Sequence, residues 1–159
     1  KVLMDTATVH ITTGHSPAAL WFNRNDYILA DASAAVGLHT MNVNQVKLRL
    51  YRIHERNILG DFVRNRFRQK LDAYDLQTIE ENKGELVWQG TTEIKGEEDK
   101  KTLTALALPQ KHLADPGLYI LVAENSKSTL QRWQGAASQW LVKTDIGLTA
   151  LQGDDGPQA

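Results

Sequence analysis

Hydrophobic and polar residues alternate along several stretches of the chain, a pattern typical of β-strands with one face in a core and one in solvent. The clearest case spans residues 46–53 (VKLRLYRI). Its predicted core face consists of Val46, Leu48 and Leu50, and its predicted solvent face consists of Lys47, Arg49 and Tyr51. This stretch therefore predicts a half-buried strand.

The same pattern predicts further strands on both sides of this one. Residues 86–94 and 138–149 are expected to be half-buried, with Leu86, Trp88 and Trp140 among their inward side chains. Residues 118–123 are apolar on both faces, which suits a central strand. Residues 102–108 end at Pro109, which cannot donate to a strand ladder. Further strands are predicted at residues 2–12 and 36–41, and residues 20–22 and 27–29 are expected to form either two short strands around a turn or one irregular strand with a bulge.

Residues 60–81 follow a helical period instead. Apolar side chains recur there at intervals of four, four and three residues, which places them on one stripe of an α-helix. The stripe consists of Val63, Phe67, Leu71 and Tyr74, and it continues at Leu76 and Ile79 after a break near 72–75. We expect it to pack against the strands rather than to line a cofactor groove. The predicted fold class is mainly β: a sandwich of about seven antiparallel strands with one α-helical insertion.

Composition narrows the function classes. The 159 residues suit one domain, with 42% hydrophobic and 23% charged residues and a net charge of −1. So small a net charge does not attract nucleic acid or anionic lipid over a distance. The chain has no cysteine, which excludes disulfides, thiol nucleophiles, cysteine–metal sites and a thioester within these residues. No apolar run approaches the roughly 18 residues that span a bilayer. We expect the chain to be a fragment of a longer protein.

One short segment resembles a catalytic motif. Residues 14–18 (GHSPA) look like the front of the G-x-S-x-G elbow of serine hydrolases. In that elbow, the residue after the nucleophile donates its backbone N–H to the oxyanion hole. Here Ser16 is followed by Pro17, which has no N–H, and the next residues have a strand pattern rather than a helical one. These features argue against a hydrolase, so we expect no catalytic residue and no enzymatic activity.

The histidines do not form a metal-binding pattern. Zinc sites need three or four ligands that converge, usually at recognisable spacing. The five histidines are scattered along the chain without such spacing, at His10, His15, His39, His54 and His112. We therefore expect no bound metal and no cofactor.

Four cations lie close together in the helical block: Arg64, Arg66, Arg68 and Lys70. On a continuous helix Arg64 and Arg68 would share a face, and such a face could contact phosphates. Acidic residues follow at once, however, at Asp72, Asp75, Glu80 and Glu81. The pattern favours a solvated face over a nucleic-acid site. Because interfaces favour arginine, we interpret these four cations as contacts to a neighbouring domain.

The four tryptophans leave one alternative open, a carbohydrate-binding or adhesin-type β-sandwich. Exposed aromatic rings could stack on sugars. Trp88 and Trp140 fall on predicted core faces, whereas Trp133 lies in a polar, glutamine-rich stretch and is the one predicted to be exposed.

Several segments together resemble a macroglobulin-like domain of the bacterial alpha-2-macroglobulins. Residues 42–57 (NVNQVKLRLYRIHERN) are similar to the family strand N-V-x-x-V-x-x-x-x-Y-R-[IV] and its Arg-Asn continuation. Further matches are residues 71–76 (LDAYDL), 86–90 (LVWQG) and 116–123 (PGLYILVA), and 144–156 (TDIGLTALQGDDG) resembles the junction to a following domain. The matches keep the family order over about 115 residues.

This resemblance implies a setting and a role. Members of the family are large periplasmic proteins built from a string of seven-stranded β-sandwiches, and they entrap proteases after cleavage of a bait segment. Many are lipoproteins held at the inner membrane, often paired with a peptidoglycan synthase, and many carry a Cys-Leu-Glu-Gln thioester. With no cysteine and no bait-like stretch, this chain would be an early scaffold domain. Its partners would be neighbouring domains and target proteases, with no nucleic acid and no direct membrane contact.

The resemblance also implies a division of the chain. Residues 1–18 would be an N-terminal strand or inter-domain element. Residues 19–150 would be the macroglobulin-like β-sandwich, with its helical insertion at about 57–83. Residues 151–159 would be a linker to the next domain.

Overall fold

The computed structural model describes residues 14–23, 26–31 and 35–145. Its strands are β1 (Ala19–Phe22), β2 (Tyr27–Leu29), β3 (Ala35–Met41), β4 (Gln45–Ile53), β5 (Gly84–Glu93), β6 (Thr102–Ala107), β7 (Gly117–Asn125) and β8 (Ala137–Lys143). Short helices α1 (Glu55–Ile58), α2 (Asp61–Arg66) and α3 (Ala73–Thr78) follow β4, and a π-helical turn, Ile79–Lys83, leads into β5. A 3₁₀ turn, Gln110–His112, follows β6. None of these helices is long and apolar enough to cross a membrane.

The strands form two sheets. One has three strands in the order β1-β3-β6, and the other has five in the order β2-β8-β7-β4-β5. All pairs are antiparallel except β2 with β8, which is parallel. The mainly-β sandwich with a helical insertion is thus confirmed, and it differs in detail from seven antiparallel strands. The difference arises because residues 27–29 form a separate short strand that extends the larger sheet beside β8.

The core between the sheets is built by the alternating positions. Val46, Leu48 and Leu50 of β4 are buried there as predicted, and they face Leu38 and Val36 of the smaller sheet. The apolar stretch in β7 is central, since β7 lies between β4 and β8 and is buried over residues 118–123. These strands were predictable because each side chain's face follows directly from the pleat.

A second core lies on the outer face of the five-stranded sheet, beneath the helical insertion. It contains Tyr51, Val63, Leu71 and Ile79 together with Trp140. The predicted solvent face of β4 is therefore wrong in its second half, where Tyr51 is 2% exposed and Arg49 is 9% exposed. The reason is that Trp133 of the β7–β8 connection packs against both residues, and the insertion reaches Tyr51 through Glu80.

The predicted helical stripe is only partly correct. Val63 and Leu71 are buried and Phe67 is partly buried in the second core, but Tyr74 is 75% exposed. The chain does not form one helix. Phe67 adopts extended backbone (φ −58°, ψ 136°) and Arg68 a left-handed conformation (φ 67°), so the helical period is interrupted between α2 and α3. Buried Leu76 and Ile79 take the place expected for Tyr74.

The edge strand β5 also departs from its predicted burial. Trp88 is partly buried against the inter-sheet core, but Leu86 is 43% exposed. The register shifts between Leu50 and Tyr51, which pair with Trp88 and Leu86 respectively. The extra residue, Val87, is a β-bulge, and it changes the face on which the preceding residues of β5 lie.

Two predictions fall largely outside the described residues. The predicted strand at residues 2–12 and the linker at residues 151–159 both lie there, as do the last five residues of the sandwich predicted to end at residue 150. Within the described part, the helical elements lie between Glu55 and Lys83.

Candidate contact surface on the helical insertion

The four cations predicted to contact a neighbouring domain do not share one face. Helix α2 ends at Arg66, and Arg64, Arg68 and Lys70 are exposed on the irregular segment around its end. Arg64 is paired with Asp61 across 3.5 Å and donates to the backbone oxygen of Leu59. The guanidinium of Arg68 lies 5.9 Å from the ring centre of Tyr27. Three of the four cations therefore remain accessible, Arg64 in the last turn of α2 and the other two on the irregular segment that follows it.

Arg66 has a different role from the other three. Its Nε lies 3.0 Å from Oδ1 of Asp75, whose side chain is 3% exposed. Asp75 also accepts from the backbone N–H of Asp72, while the side chain of Asp72 accepts from the backbone N–H of Asp75. This reciprocal pair is a capping box at the start of α3. Arg66 thus neutralises a buried carboxylate and ties the end of α2 to the start of α3.

Aromatic and backbone contacts hold the irregular segment on the sheet. The ring of Phe67 packs edge-on against Trp140, with centroids 5.4 Å apart, and stacks on Tyr27 at 5.6 Å. The indole N–H of Trp140 donates to the backbone oxygen of Gln69. The backbone N–H of Leu71 donates to the hydroxyl of Ser138 on β8. The exposed cations are therefore mounted on a segment whose backbone is fixed to β8.

The far end of the insertion is fixed by Glu80, which lies in the π-helical turn. Its carboxylate accepts a two-point contact from the guanidinium of Arg132. It also accepts from the indole N–H of Trp133 at 3.2 Å, and the hydroxyl of Tyr51 lies 3.5 Å away. Burial raises the pKa of Tyr51 to about 12, and the nearby Glu80 carboxylate contributes to that rise. We call these four residues the Glu80 network.

Trp133 is the centre of this arrangement. It is 3% exposed, so the prediction that it would be the exposed tryptophan is wrong. Its ring lies 5.0 Å from the guanidinium carbons of both Arg49 and Arg132, within the range of cation–π attraction. Arg49 is in turn paired with Glu124 on β7. Its polar neighbours in sequence, Gln131, Arg132 and Gln134, are exposed, whereas the ring of Trp133 itself is buried.

This burial is made possible by the backbone of the β7–β8 connection. Trp133 adopts a left-handed conformation (φ 66°), which is uncommon for a residue with a side chain and indicates that its contacts over-determine its position. Gly135 follows in the same region of backbone space (φ 74°). No sequence pattern signalled the Glu80 network. The one available indication was the helical block itself, because its apolar stripe has to pack on a sheet face and the face of β4 that carries Arg49 and Tyr51 was a candidate.

The burial of Trp133 also removes the main support for the carbohydrate-binding alternative. Trp140 is 1% exposed and Trp88 is packed against the core. Trp21 is partly exposed, but it already stacks on His39, with centroids 5.4 Å apart. None of the four indole rings is a free, fully exposed platform.

The segment that resembled a hydrolase motif takes part in a structural contact. The backbone N–H of Ser16 donates to Asp99, and its carbonyl oxygen accepts from Asn42. His15 lies 3.1 Å from Glu98. Over the described residues, no group of three or more His, Asp or Glu side chains is placed to hold a metal ion.

Comparisons with known proteins agree with this architecture. The family model described as the bacterial alpha-2-macroglobulin MG2 domain matches residues 22–134. Among curated protein sequences, none matches the chain significantly.

Solved structures share the fold. A crystal structure of native alpha-2-macroglobulin from Escherichia coli spanning domains MG0-NIE-MG1 has 16% identity and a TM-score of 0.59, covering 86% of this chain and 42% of that one. A second, spanning NIE-MG1, has 19% identity and a TM-score of 0.57, covering 86% and 64%. The trypsin-activated protein from the same organism has 17% identity and a TM-score of 0.59, covering 80% and 9%.

This chain therefore spans less than two thirds of each of these structures. At such identities the structural likeness shows a shared fold. The family match is independent of it and covers most of the chain, including the helical insertion and the strands on both sides of it. The resemblance noted from the sequence is confirmed, and the chain belongs to the bacterial alpha-2-macroglobulin MG2 domain family.

Proposed function

We propose that this chain is a non-catalytic scaffold domain of a larger protease-trapping inhibitor. The observation that carries the proposal is the family match over residues 22–134, combined with an insertion that is bonded to β8 at Gln69 and Leu71 and to Trp133 at Glu80. A domain fixed in this way is suited to hold its neighbours in a defined geometry. One of the solved structures is that of trypsin-activated alpha-2-macroglobulin from E. coli, which supports proteases as the targets of the parent protein.

We extend the proposal to the setting that the family resemblance implies. The parent protein would work in the periplasm, be lipid-anchored to the inner membrane, and meet a peptidoglycan synthase as a partner. This domain would contribute neither the lipid-bearing cysteine nor a thioester, because it has no cysteine. Fractionation of cells that produce the tagged parent protein tests the location. Recovery of that protein in the cytosol would contradict it.

The activity test compares the 159-residue chain with its parent. Each is incubated with a trypsin-like and an elastase-like protease, and cleavage of a large protein substrate is followed. We expect the parent to protect the substrate stoichiometrically and the chain to give no protection, because a trap needs a bait and a closing cage. Protection by the chain alone would contradict the scaffold role. So would hydrolysis of an activated ester that disappears in Ser16→Ala.

The exposed cations of the insertion are proposed to contact a neighbouring domain. Arg64, Arg68 and Lys70 are exposed and mounted on a fixed backbone, whereas Arg66 is engaged with Asp75. Reversing charge in Arg64→Glu/Arg68→Glu should leave the stability of the chain almost unchanged, since exposed ion pairs contribute little. In the parent protein, small-angle scattering should show looser domain packing.

A matched control reverses two exposed lysines elsewhere, Lys111→Glu/Lys127→Glu. It makes the same change in net charge away from the insertion. Equal expansion of the parent by both double variants would attribute the effect to net charge rather than to a contact. No expansion by either would show that the insertion does not meet a neighbour.

A further inference from the structure

The outer face of the three-stranded sheet is almost entirely apolar. Inward residues of its strands are identified by burial, for example Leu20, Leu38 and Leu106. The residues between them point away from the core, and apart from one histidine they are small or apolar: Ala19, Trp21, Ala35, Gly37, His39, Met41, Leu103, Ala105 and Ala107. An antiparallel sheet with a solvated outer face normally places polar residues there.

The strand register assembles these residues into one surface. Trp21, His39 and Leu103 are directly paired across β1, β3 and β6. Trp21 stacks flat on His39, with an angle of 9° between the rings, and Leu103 is 57% exposed. Beyond this row, Gly37 pairs with Ala105. The side chains of Asn23 and Leu103 close over Gly37, since a Cβ placed there would lie 3.1 Å from Cβ of Asn23 and 3.2 Å from Cδ1 of Leu103.

The outer face of the five-stranded sheet provides a comparison within the same molecule. Where that face is apolar, around Tyr51 and Trp140, the insertion covers it. Where it is uncovered, on β5, the exposed residues Gln89, Thr91 and Glu93 are polar. Over the described residues, the outer face of the three-stranded sheet carries only two polar side chains from outside its strands: Lys101 lies 5.8 Å from the ring centre of Trp21, and Asn23 bonds to His39 at 3.1 Å. A contiguous exposed apolar area of this kind marks an interaction surface.

The path of the chain indicates what reaches this surface. Residues leading into β1 are bonded to the end of the sheet at which β3 ends and β6 begins, where Ser16 binds Asp99 and Asn42. Asn42 directly follows β3, and Asp99 lies in the loop before β6. Asn42 and Asp99 also bond to each other twice, at 2.7 and 2.8 Å. The described chain therefore begins, at Gly14, close to this end of the three-stranded sheet.

We propose that the outer face of the three-stranded sheet docks a neighbouring domain of the parent protein, the one attached ahead of Gly14. This inference rests on the proposed role in a string of domains. Thirteen residues span at most roughly 45 Å, so a domain attached through them stays at high effective concentration beside the face. The partner surface is mainly apolar, since the imidazole of His39 is already bonded to Asn23 and the exposed side chains of the face are mostly apolar. This face is distinct from the cations of the insertion.

The test uses single cysteines, because the chain has none of its own. Ala105→Cys places a thiol in the middle of the apolar face, and Thr91→Cys places one on the uncovered outer face of β5. Ala105 and Thr91 are both exposed, and cysteine is close in size to each of them. The rate of alkylation by iodoacetamide at each site is measured by mass spectrometry of the labelled peptide, in the 159-residue chain and in the parent protein.

We expect both thiols to react readily in the chain. In the parent, the thiol of Ala105→Cys should react at least about tenfold more slowly, as expected for a tethered contact with high effective concentration. The thiol of Thr91→Cys should keep its rate. Equal rates at position 105 in chain and parent would overturn the proposal.

Two other outcomes would also overturn it. Protection at position 105 that is already present in the chain and independent of concentration would assign the cover to residues 1–13 themselves. Protection that grows with chain concentration would assign it to a second copy. The outcome is independent of protease trapping, which is measured on the unmodified parent. Docking without trapping would refute the proposed function alone, and trapping without protection would refute this inference alone.

Discussion

The indole N–H of Trp133 lies 3.2 Å from Oε2 of Glu80, and this contact joins the β7–β8 connection to the end of the helical insertion. The two residues are 53 positions apart in sequence. Neither belongs to a strand, so the contact fastens two connections to each other above the sheet. The stability of the insertion should therefore depend on Glu80 more than on exposed acidic residues such as Glu85.

Removing the charge of Glu80 should destabilise the chain. Glu80→Gln removes the negative charge and replaces one of the two carboxylate oxygens, which together accept from Arg132 and Trp133, with an amide NH₂ group that cannot accept. We expect a loss of about 1–2 kcal/mol in the free energy of unfolding, the range for a partly exposed bond to a charged group. Glu85→Gln on β5 is the control, and its change should stay within about 0.5 kcal/mol. Urea unfolding measures both, and equal effects would contradict the proposed anchor.

Two aromatic residues of the insertion should respond in opposite ways. Phe67 packs on Trp140 and Tyr27, so Phe67→Ala should cost about 2–3 kcal/mol, somewhat less than a fully buried phenylalanine. Tyr74 is 75% exposed, and Tyr74→Ala should change stability by no more than about 0.5 kcal/mol. Thermal unfolding of the two variants side by side is the measurement. A large loss of stability in Tyr74→Ala would contradict its exposed position and would instead support the buried helical stripe predicted from the sequence.

The two arginines in the last turn of α2 should also differ. Arg66→Ala leaves the buried carboxylate of Asp75 without its cation, and we expect a loss of about 2 kcal/mol. The cost is below that of a fully buried pair because the Arg66 side chain is 42% exposed. Arg64→Ala removes only an exposed pair and should cost under about 0.5 kcal/mol. Similar values for the two would mean that Asp75 is satisfied by its backbone contact alone.

Stability should fall at alkaline pH through Tyr51. Its pKa is raised from 10.0 to about 12 in the folded chain, first by burial and then by Glu80. The folded state thus binds the phenolic proton more tightly than the unfolded state. This contribution is complete below pH 10 and is lost as pH rises from about 10 to about 12.

Tyr51→Phe has no such proton and isolates the effect. The unfolding free energy of the unmodified chain, minus that of Tyr51→Phe, should fall by about 1 kcal/mol between about pH 8.5 and pH 11. Chemical unfolding across this range measures the difference. Parallel curves would show that Tyr51 titrates alike in both states.

The sandwich could be predicted from sequence because its strands obey a local rule. Each alternating side chain in β4 and each apolar residue of β7 follows from the pleat. The prediction failed where distant residues decide burial. Arg49 and Tyr51 look solvent-facing until the β7–β8 connection and the insertion are placed over this face of the sheet. Trp133 looks exposed because its neighbours in sequence are polar.

The insertion was misjudged for a different reason. Its spacing is helical from Val63 to Tyr74, yet the backbone leaves the helix at Phe67 and turns left-handed at Arg68. Packing of Phe67 on Trp140 outweighs the continuation of the helix, and no local signal such as Gly or Pro marks the break. The role of Arg66 followed from that break, since a straight helix would have left it beside Lys70.

The described chain meets the sandwich at one end and leaves it at the other. Ser16 is tied to Asn42 and Asp99 at the end where β3 passes into β4. Lys143 pairs with Gly117 at the opposite end, where β7 begins. Tension applied through the backbone would therefore run along the strands and load their ladders in shear, with many hydrogen bonds sharing the force. A domain threaded in this way can transmit a pull from one neighbour to the next without unzipping.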